Sequence, residues 1–113
     1  MRNVGKRGEI IVSNLLSGRG YKIIAKNLRL GKDEIDVIAY KSNTHYLIEV
    51  KTVNRSSTVK AGQQMTAAKR RYFERAAQKY IKKFQPARIK LLFAEVEINV
   101  ITGSAAIAIT RYR

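Results

Sequence analysis

The chain has 113 residues, no cysteine, and 23 Lys and Arg against eight Asp and Glu, a formal net charge of +15. That length suits a single domain, residues 1–113, whose core needs no covalent staple, and the lack of cysteine excludes disulfides, thiolate metal sites and thiol catalysis. No apolar run approaches a membrane span and the basic N-terminus lacks the apolar core of a signal peptide, so the expected setting is the cytoplasm, off the membrane, with a polyanion such as nucleic acid as partner.

Residues 6–17 (KRGEIIVSNLLS) read as a first helix. Ile10, Ile11, Asn14 and Leu15 recur at partial helical spacing, Val12 and Leu16 widen the stripe, and Gly18 and Gly20 supply the stop. Glu9 falls in the first turn, where the helix dipole alone accounts for a carboxylate. Tyr21–Lys26 reads as a strand and Asn27–Lys32 as a connection. Glu34–Tyr40 is a second strand, with Ile35, Val37 and Ala39 on one face and Glu34, Asp36, Ile38 and Tyr40 on the other. Lys41-Ser42-Asn43-Thr44 has hairpin-turn composition, and His45–Val53 is a third strand. The three make an antiparallel meander in which Asp36 and Glu49 can share a side, although a slip of one residue would separate them.

Asn54–Gly62 (NRSSTVKAG) is the one long loop-like stretch, with Arg55 and Lys60 suited to phosphate contact or to simple solvation. A second helix is expected over Thr66–Lys83, with Thr66 as N-cap. Its apolar stripe is Ala68, Tyr72, Phe73, Ala76, Ala77, Tyr80, Ile81 and Phe84, which places the tyrosines in the core. Lys69, Arg70, Arg71, Arg75, Lys79, Lys82 and Lys83 cover the remainder, either as a nucleic-acid-facing surface or as a solvated face. Pro86 closes that helix. A fourth strand follows over Arg88–Val100, apolar from Ile89 to Ala94 but for Lys90, as in a strand covered on both faces, and Ala105–Thr110 is a last strand at an edge. His45, the lone histidine, reads as an exposed strand residue.

The acids are the informative minority. Five of the eight (Glu9, Asp33, Glu34, Asp36 and Glu49) fall in the first 49 residues. A chain that only held phosphates would gain nothing from carboxylates there, whereas one that places a divalent ion beside a phosphodiester requires them. Glu49 and Lys51 share one strand face while Ile48, Val50 and Thr52 take the other. The alternative is a structural Glu49–Lys51 pair on a wet sheet face.

Glu9, then Glu34-Ile35-Asp36-Val37-Ile38-Ala39, then Ile48-Glu49-Val50-Lys51, resembles the PD-(D/E)XK nuclease pattern of an acid, a spacer and Glu-x-Lys. With Gly8-Glu9, Gly20-Tyr21, Asn27-Leu28-Arg29, Ala68-Lys69 and Ala76-Ala77, nearly the whole chain resembles the YraN family of endonucleases, distantly similar to archaeal Holliday-junction resolvases. The resemblance implies an α/β (α+β) restriction-endonuclease-like core in the order αβββαβ(β), a mixed sheet flanked by helices. It implies Asp36 and Glu49 as ligands of Mg²⁺ or Mn²⁺, Glu9 completing the cluster, and Lys51 orienting the attacking water. Arg55, Lys60, Lys69 and Arg70 would hold the nucleic acid backbone, and Gln63 or Gln64 could lie near the site. Asp33 and Glu34 fall outside the ligand set.

The chain departs from that pattern at Asp33, where glycine is usual, at Val53, where arginine is usual, and at Lys90 in Arg88-Ile89-Lys90, where aspartate is usual. The expected function is metal-dependent endonucleolytic cleavage of DNA, branched or structured DNA included, with a two-fold homodimer if cuts are paired. The alternative is a non-catalytic nucleic-acid-binding protein that keeps the nuclease fold. A ribosomal or membrane-surface cationic protein would explain the charge but leave the acids unexplained.

Overall fold

The computed structural model describes residues 4–54, 66–99 and 101–112. A first helix, α1 (Val4–Gly18), leads into a meander of β1 (Lys22–Leu30), β2 (Asp33–Lys41) and β3 (Thr44–Asn54); then come α2 (Ala67–Phe84), β4 (Ile89–Ile98) and β5 (Ala105–Arg111). The strands lie in chain order across one sheet. β3 and β4 run parallel and every other neighbouring pair is antiparallel. Parallel neighbours need a long crossover, which the segment carrying α2 supplies. The order of helix, three strands, helix and two strands is that of the expected fold class, compatible with a restriction-endonuclease-like core.

The helices cover opposite faces. Val12 and Leu16 of α1 pack on Val37, Ala39, Ile48, Val50, Ala94, Val96 and Ile98. Phe73, Ala76, Ala77 and Tyr80 of α2 pack on Leu30, Ile35, Ile38 and Leu47. Alternation along β3 therefore sends Tyr46, Ile48 and Val50 toward α1, and Leu47, Glu49 and Lys51 toward α2. In β2 the alternation breaks: Ile35 and Ile38 both face α2. The irregularity falls at Asp36.

Several boundaries differ from the sequence expectation. α1 begins at Val4, so Glu9 lies in its second turn, beyond the reach of a first-turn dipole effect. β1 continues to Leu30 where a connection was expected. Asn27 adopts φ +53°, and the ladder shifts register between Ile23 and Ala25, so β1 bends while still pairing. The hairpin turn holds as expected: Ser42 and Asn43 at φ +53° and +59° make the two-residue left-handed turn between Lys41 and Thr44. Thr66 caps α2 by accepting from the Lys69 amide, and Gln85 ends it in the left-handed conformation.

The apolar face of α2 is narrower than its sequence stripe. Phe73, Ala76, Ala77 and Tyr80 are buried, whereas Tyr72, Ile81 and Phe84 are exposed. Tyr72, expected in the core, is 56% exposed. His45 is not a free surface residue: it is half-buried, Nδ1 lies 2.6 Å from the Tyr80 hydroxyl, and its ring meets those of Tyr40 and Tyr80. β5 pairs with β4 alone and forms one edge of the sheet, as expected. Among the described residues no helix is long and apolar enough to cross a membrane.

Candidate active site

The β2–β3 ladder starts at Lys41↔Thr44 and its last pair is Val37↔Ile48. The next positions outward on the two strands are Asp36 and Glu49, so the register brings these two acids opposite one another. Asp36 turns its carboxylate into the gap, and its Oδ2 accepts from the Val50 amide at 2.8 Å. A side chain thus takes the place that a neighbouring strand's carbonyl would fill. That substitution satisfies the amide and fixes the carboxylate.

Glu49 enters from the α2 side and its carboxyl lies close enough to that of Asp36 for each to alter the other's proton affinity. Lys69, on the first turn of α2, reaches Glu49 Oε2 at 3.4 Å. Glu49, Lys51, Thr66, Lys69 and Phe93 line a cavity of about 150 Å³. The strand pair Glu49 and Lys51 therefore shares a wall, as alternation predicts, and the cap of α2 supplies the facing side. Among the described residues, one carboxylate and two lysines line the cavity, and the charge of Lys69 also acts on Asp36.

Glu9 comes from the other face. Gly8 lies against Thr52 of β3, where any side chain would collide, so the helix sits close on the strand at this point. Glu9 is then held by the Asn27 side-chain amide, which donates to Oε1 at 2.9 Å, with Lys6 at 4.0 Å. The left-handed backbone at Asn27 is what aims that amide inward. Glu9 reaches Asp36 through its charge. Among the described residues no three His, Cys, Asp or Glu side chains gather closely enough to hold a metal ion. The acids instead form a contacting pair, Asp36 and Glu49, with Glu9 standing off on the α1 side.

All three acids are harder to ionise than ordinary carboxylates. Burial raises Glu49 from near 4.5 to about 7; the charge of Asp36 adds to this and Lys69 opposes it. Burial also raises Asp36, with the Val50 amide pulling the other way. Glu9 is raised by burial first and by Asp36 second. Like charges forced together in a poorly solvated place share a proton, and such clusters concentrate at functional sites.

A fourth acid behaves oppositely, and sequence reasoning did not see why. Asp33 is buried at the start of β2. Arg75 forks onto it with two contacts of 2.8 Å, and Lys79 adds one of 2.7 Å while also donating to the Leu30 carbonyl. Arg75, then Lys79, hold its carboxyl well below the usual carboxylate range. The departure from glycine at this position thus ties β2 to α2. The signal was available in Arg75 and Lys79, four apart on the helix, facing an otherwise unexplained acid.

Of the residues expected to contact nucleic acid, Lys69 is at the site. Arg70 is exposed on α2, its guanidinium 5.7 Å from the Tyr112 ring and its carbonyl accepting from the Tyr112 hydroxyl. Arg55, Lys60, Gln63 and Gln64 lie outside the described residues.

Residues 8–102 match the family described as Uncharacterised protein family UPF0102. A UPF0102 protein of Kosmotoga olearia is 38% identical over 97 residues, 86% of this chain and 78% of that one. One from Symbiobacterium thermophilum is 36% identical over 98 residues, 85% and 83% of the two chains. One from Chlorobium limicola is 34% identical over 79 residues, 70% of this chain and 61% of its own length. From the helix that carries Glu9 to the turn before β5, this chain belongs to the UPF0102 family.

Proposed function

We propose that the chain is a metal-dependent endonuclease that hydrolyses phosphodiester bonds in DNA. The observation that carries this reading is the contacting, half-buried pair Asp36 and Glu49, set beside Lys51 and Lys69 in a chain of net charge +15. A binding protein for polyanions has no use for carboxylates crowded together where a phosphate would approach; a hydrolase does.

The pair fits a small divalent cation. Mg²⁺ takes oxygen ligands and is commonly bound by one or two carboxylates together with water and substrate phosphate. Asp36 and Glu49 would hold it; burial is the main reason that both resist ionisation, and for Glu49 the neighbouring charge of Asp36 adds to it. When bound, the ion neutralises charge on the phosphate and acidifies a water. The remaining work falls to the chain itself. The Val50 amide keeps Asp36 oriented. Lys69 does so for Glu49. Lys51, on the same cavity wall, presents a compact positive charge to the developing negative charge of the phosphate. Basic side chains on α2 hold backbone phosphates without reading bases.

A second reading, nucleic-acid binding without cleavage, is favoured by one feature: Glu9 is engaged by Asn27 and does not close a three-carboxylate cluster. A cleavage screen separates the two. Four-way junction, flap, duplex and single-stranded DNA are incubated with Mg²⁺ or Mn²⁺, with Asp36→Asn as control. The nuclease reading expects cleavage of at least one substrate that Asp36→Asn and Lys51→Ala abolish while binding persists. Binding to DNA without any cut, unaltered by Asp36→Asn, would establish the second reading instead.

A further inference from the structure

We propose that Tyr72 and Arg75 form a stacking platform for one unpaired nucleobase, next to the carboxylate pair, so that the substrate presents single-stranded character at the site of cleavage. The inference rests on the proposed nuclease reading and specifies its substrate class. It starts from a residue out of place: Tyr72 lies on the apolar stripe of α2 yet is 56% exposed. An exposed tyrosine alone is ordinary surface; three further observations make this one a built feature.

The first is rigidity. Arg75 lies over the Tyr72 ring at 5.1 Å. Its guanidinium is locked by the two contacts to Asp33. An arginine held at both oxygens of a buried carboxylate cannot swing away, so Asp33, Arg75 and Tyr72 form a fixed stack. A platform fixed in advance loses little entropy on receiving a partner. The second is space. Lys32, Asp33, Glu34, Tyr72 and Arg75 line an open cleft of about 340 Å³, the size range of small-ligand sites.

The third is the charge of the walls, which argues for a base over a phosphate. Asp33 is neutralised by Arg75 and Lys79. Glu34, exposed, keeps a carboxylate at the cleft. It repels phosphate and accepts hydrogen bonds, as exocyclic amino groups of bases require. Lys32 provides a cation at the rim for the adjoining backbone. The aromatic face supplies stacking that any base can use.

Position links the cleft to the chemistry. Lys69 touches Glu49 and Tyr72 follows one turn later on α2, a rise of about 5 Å. On β2, Asp33 and Glu34 precede Asp36 by three and two residues. A strand whose phosphate lies at the carboxylate pair would thus bring a neighbouring base to Tyr72. In an intact duplex that base is stacked within the helix; in a single strand, a flap or an opened junction it is free.

The test is binding by fluorescence anisotropy in buffer containing chelator, so that no cleavage is needed. The probes are a labelled oligothymidylate and a labelled blunt hairpin duplex, with wild type, Tyr72→Ala and Tyr72→Phe. The expected result is about a tenfold loss of single-strand affinity in Tyr72→Ala. Tyr72→Phe should stay within about twofold, since the ring remains, and duplex affinity should hardly change in either. Equal loss on both probes, or none on the single strand, overturns the inference while leaving the nuclease reading intact. Wild-type protein that binds neither probe overturns both. If the Tyr72 pattern appears and the cleavage screen is blank, the platform stands and the nuclease reading falls. Because the side chain is exposed, thermal melts of the variants should match wild type; a 2-aminopurine probe, quenched on stacking, reads the same contact independently of affinity.

Discussion

Asp33 and Asp36 stand three residues apart on β2, and their surroundings drive them in opposite directions. Asp33 meets two cations on α2 and is held ionised well below the usual range. Asp36 meets another carboxylate, a backbone amide and a distant lysine, and burial raises its proton affinity. One acid is satisfied by the protein and closes the β2–α2 packing. The other is left with charge that the described residues only partly answer. The difference teaches that burial alone does not mark a functional acid; burial without a matching cation does.

The sharpest way to break this comparison is to neutralise each acid in turn. Asp36→Asn keeps an oxygen for the Val50 amide and removes a repulsive charge, so its melting temperature should equal or exceed that of wild type. Cleavage should fall by about a hundredfold or more, the usual scale for losing a group that supports charge in the transition state. Asp33→Asn should do the reverse. Arg75 and Lys79 would be left beside each other without their anion, and the melting temperature should drop by several degrees while cleavage per folded molecule persists at saturating DNA, any loss appearing as weaker single-strand binding through the loosened Arg75. Differential scanning fluorimetry beside a gel cleavage assay reads both. If Asp33→Asn silenced cleavage without destabilising the chain, the division between the two acids would be wrong.

A smaller effect lies in pH. Glu49 binds its proton up to about 7 in the folded protein, against near 4.5 for an ordinary glutamate. Between those values the folded state holds more protons than the unfolded one, so this contribution lowers stability as pH rises from about 4.5 through 7. Asp33 has the opposite sign. Its depressed value stabilises the fold above the ordinary aspartate range, and that contribution fades as pH falls below it. Wild type should therefore melt lower at pH 8 than at pH 5.5. Glu49→Gln should flatten that slope, whereas Asp33→Asn should leave the slope between pH 5.5 and 8 in place and lower the melting temperature throughout that window, the deficit shrinking only as pH falls into the aspartate range. A slope unchanged in Glu49→Gln would mean that the Asp36–Glu49 pair is not the source of the strain.

The sequence made some of this legible and hid the rest for identifiable reasons. Alternation along β3 was enough to put Glu49 and Lys51 on one wall, and the helix spacing with Thr66 and Pro86 located α2. The hairpin residues Ser42 and Asn43 announced a two-residue turn. Three features escaped. Asn27 reads as a loop residue because it tolerates left-handed backbone; here that backbone bends a continuous strand and aims an amide at Glu9. Tyr72 fits the apolar periodicity of α2, but it falls outside the packed face and lines the cleft with Lys32, Glu34 and Arg75, and periodicity gives a face without its width. The capture of the Val50 amide by Asp36 has no local signal, since it depends on where the β2–β3 ladder stops. Lys69 was named for phosphate contact, and its approach to Glu49 is a matter of how α2 is seated.

The finest distinction concerns Glu9, which stands between the two kinds of acid. It is raised by burial and by Asp36, yet it has a neutral partner in Asn27 and a cation at the limit of contact in Lys6. Asn27→Gly isolates the tether, because glycine accepts φ near +53° without strain and removes only the amide. Losing one hydrogen bond to a carboxylate costs about 1–3 kcal/mol of stability. Glu9 would then be free to approach Asp36 when a cation is added. If Glu9 serves as a third ligand, Mg²⁺ should raise the melting temperature of Asn27→Gly by more than it raises that of wild type, with cleavage changed less than about tenfold, well short of the Asp36→Asn loss. If Glu9 only braces α1 against β1, the Mg²⁺-induced shift should be the same in both proteins and only the baseline should fall. The first outcome extends the unsatisfied cluster across the sheet to α1; the second confines it to the two acids at the mouth of the β2–β3 gap.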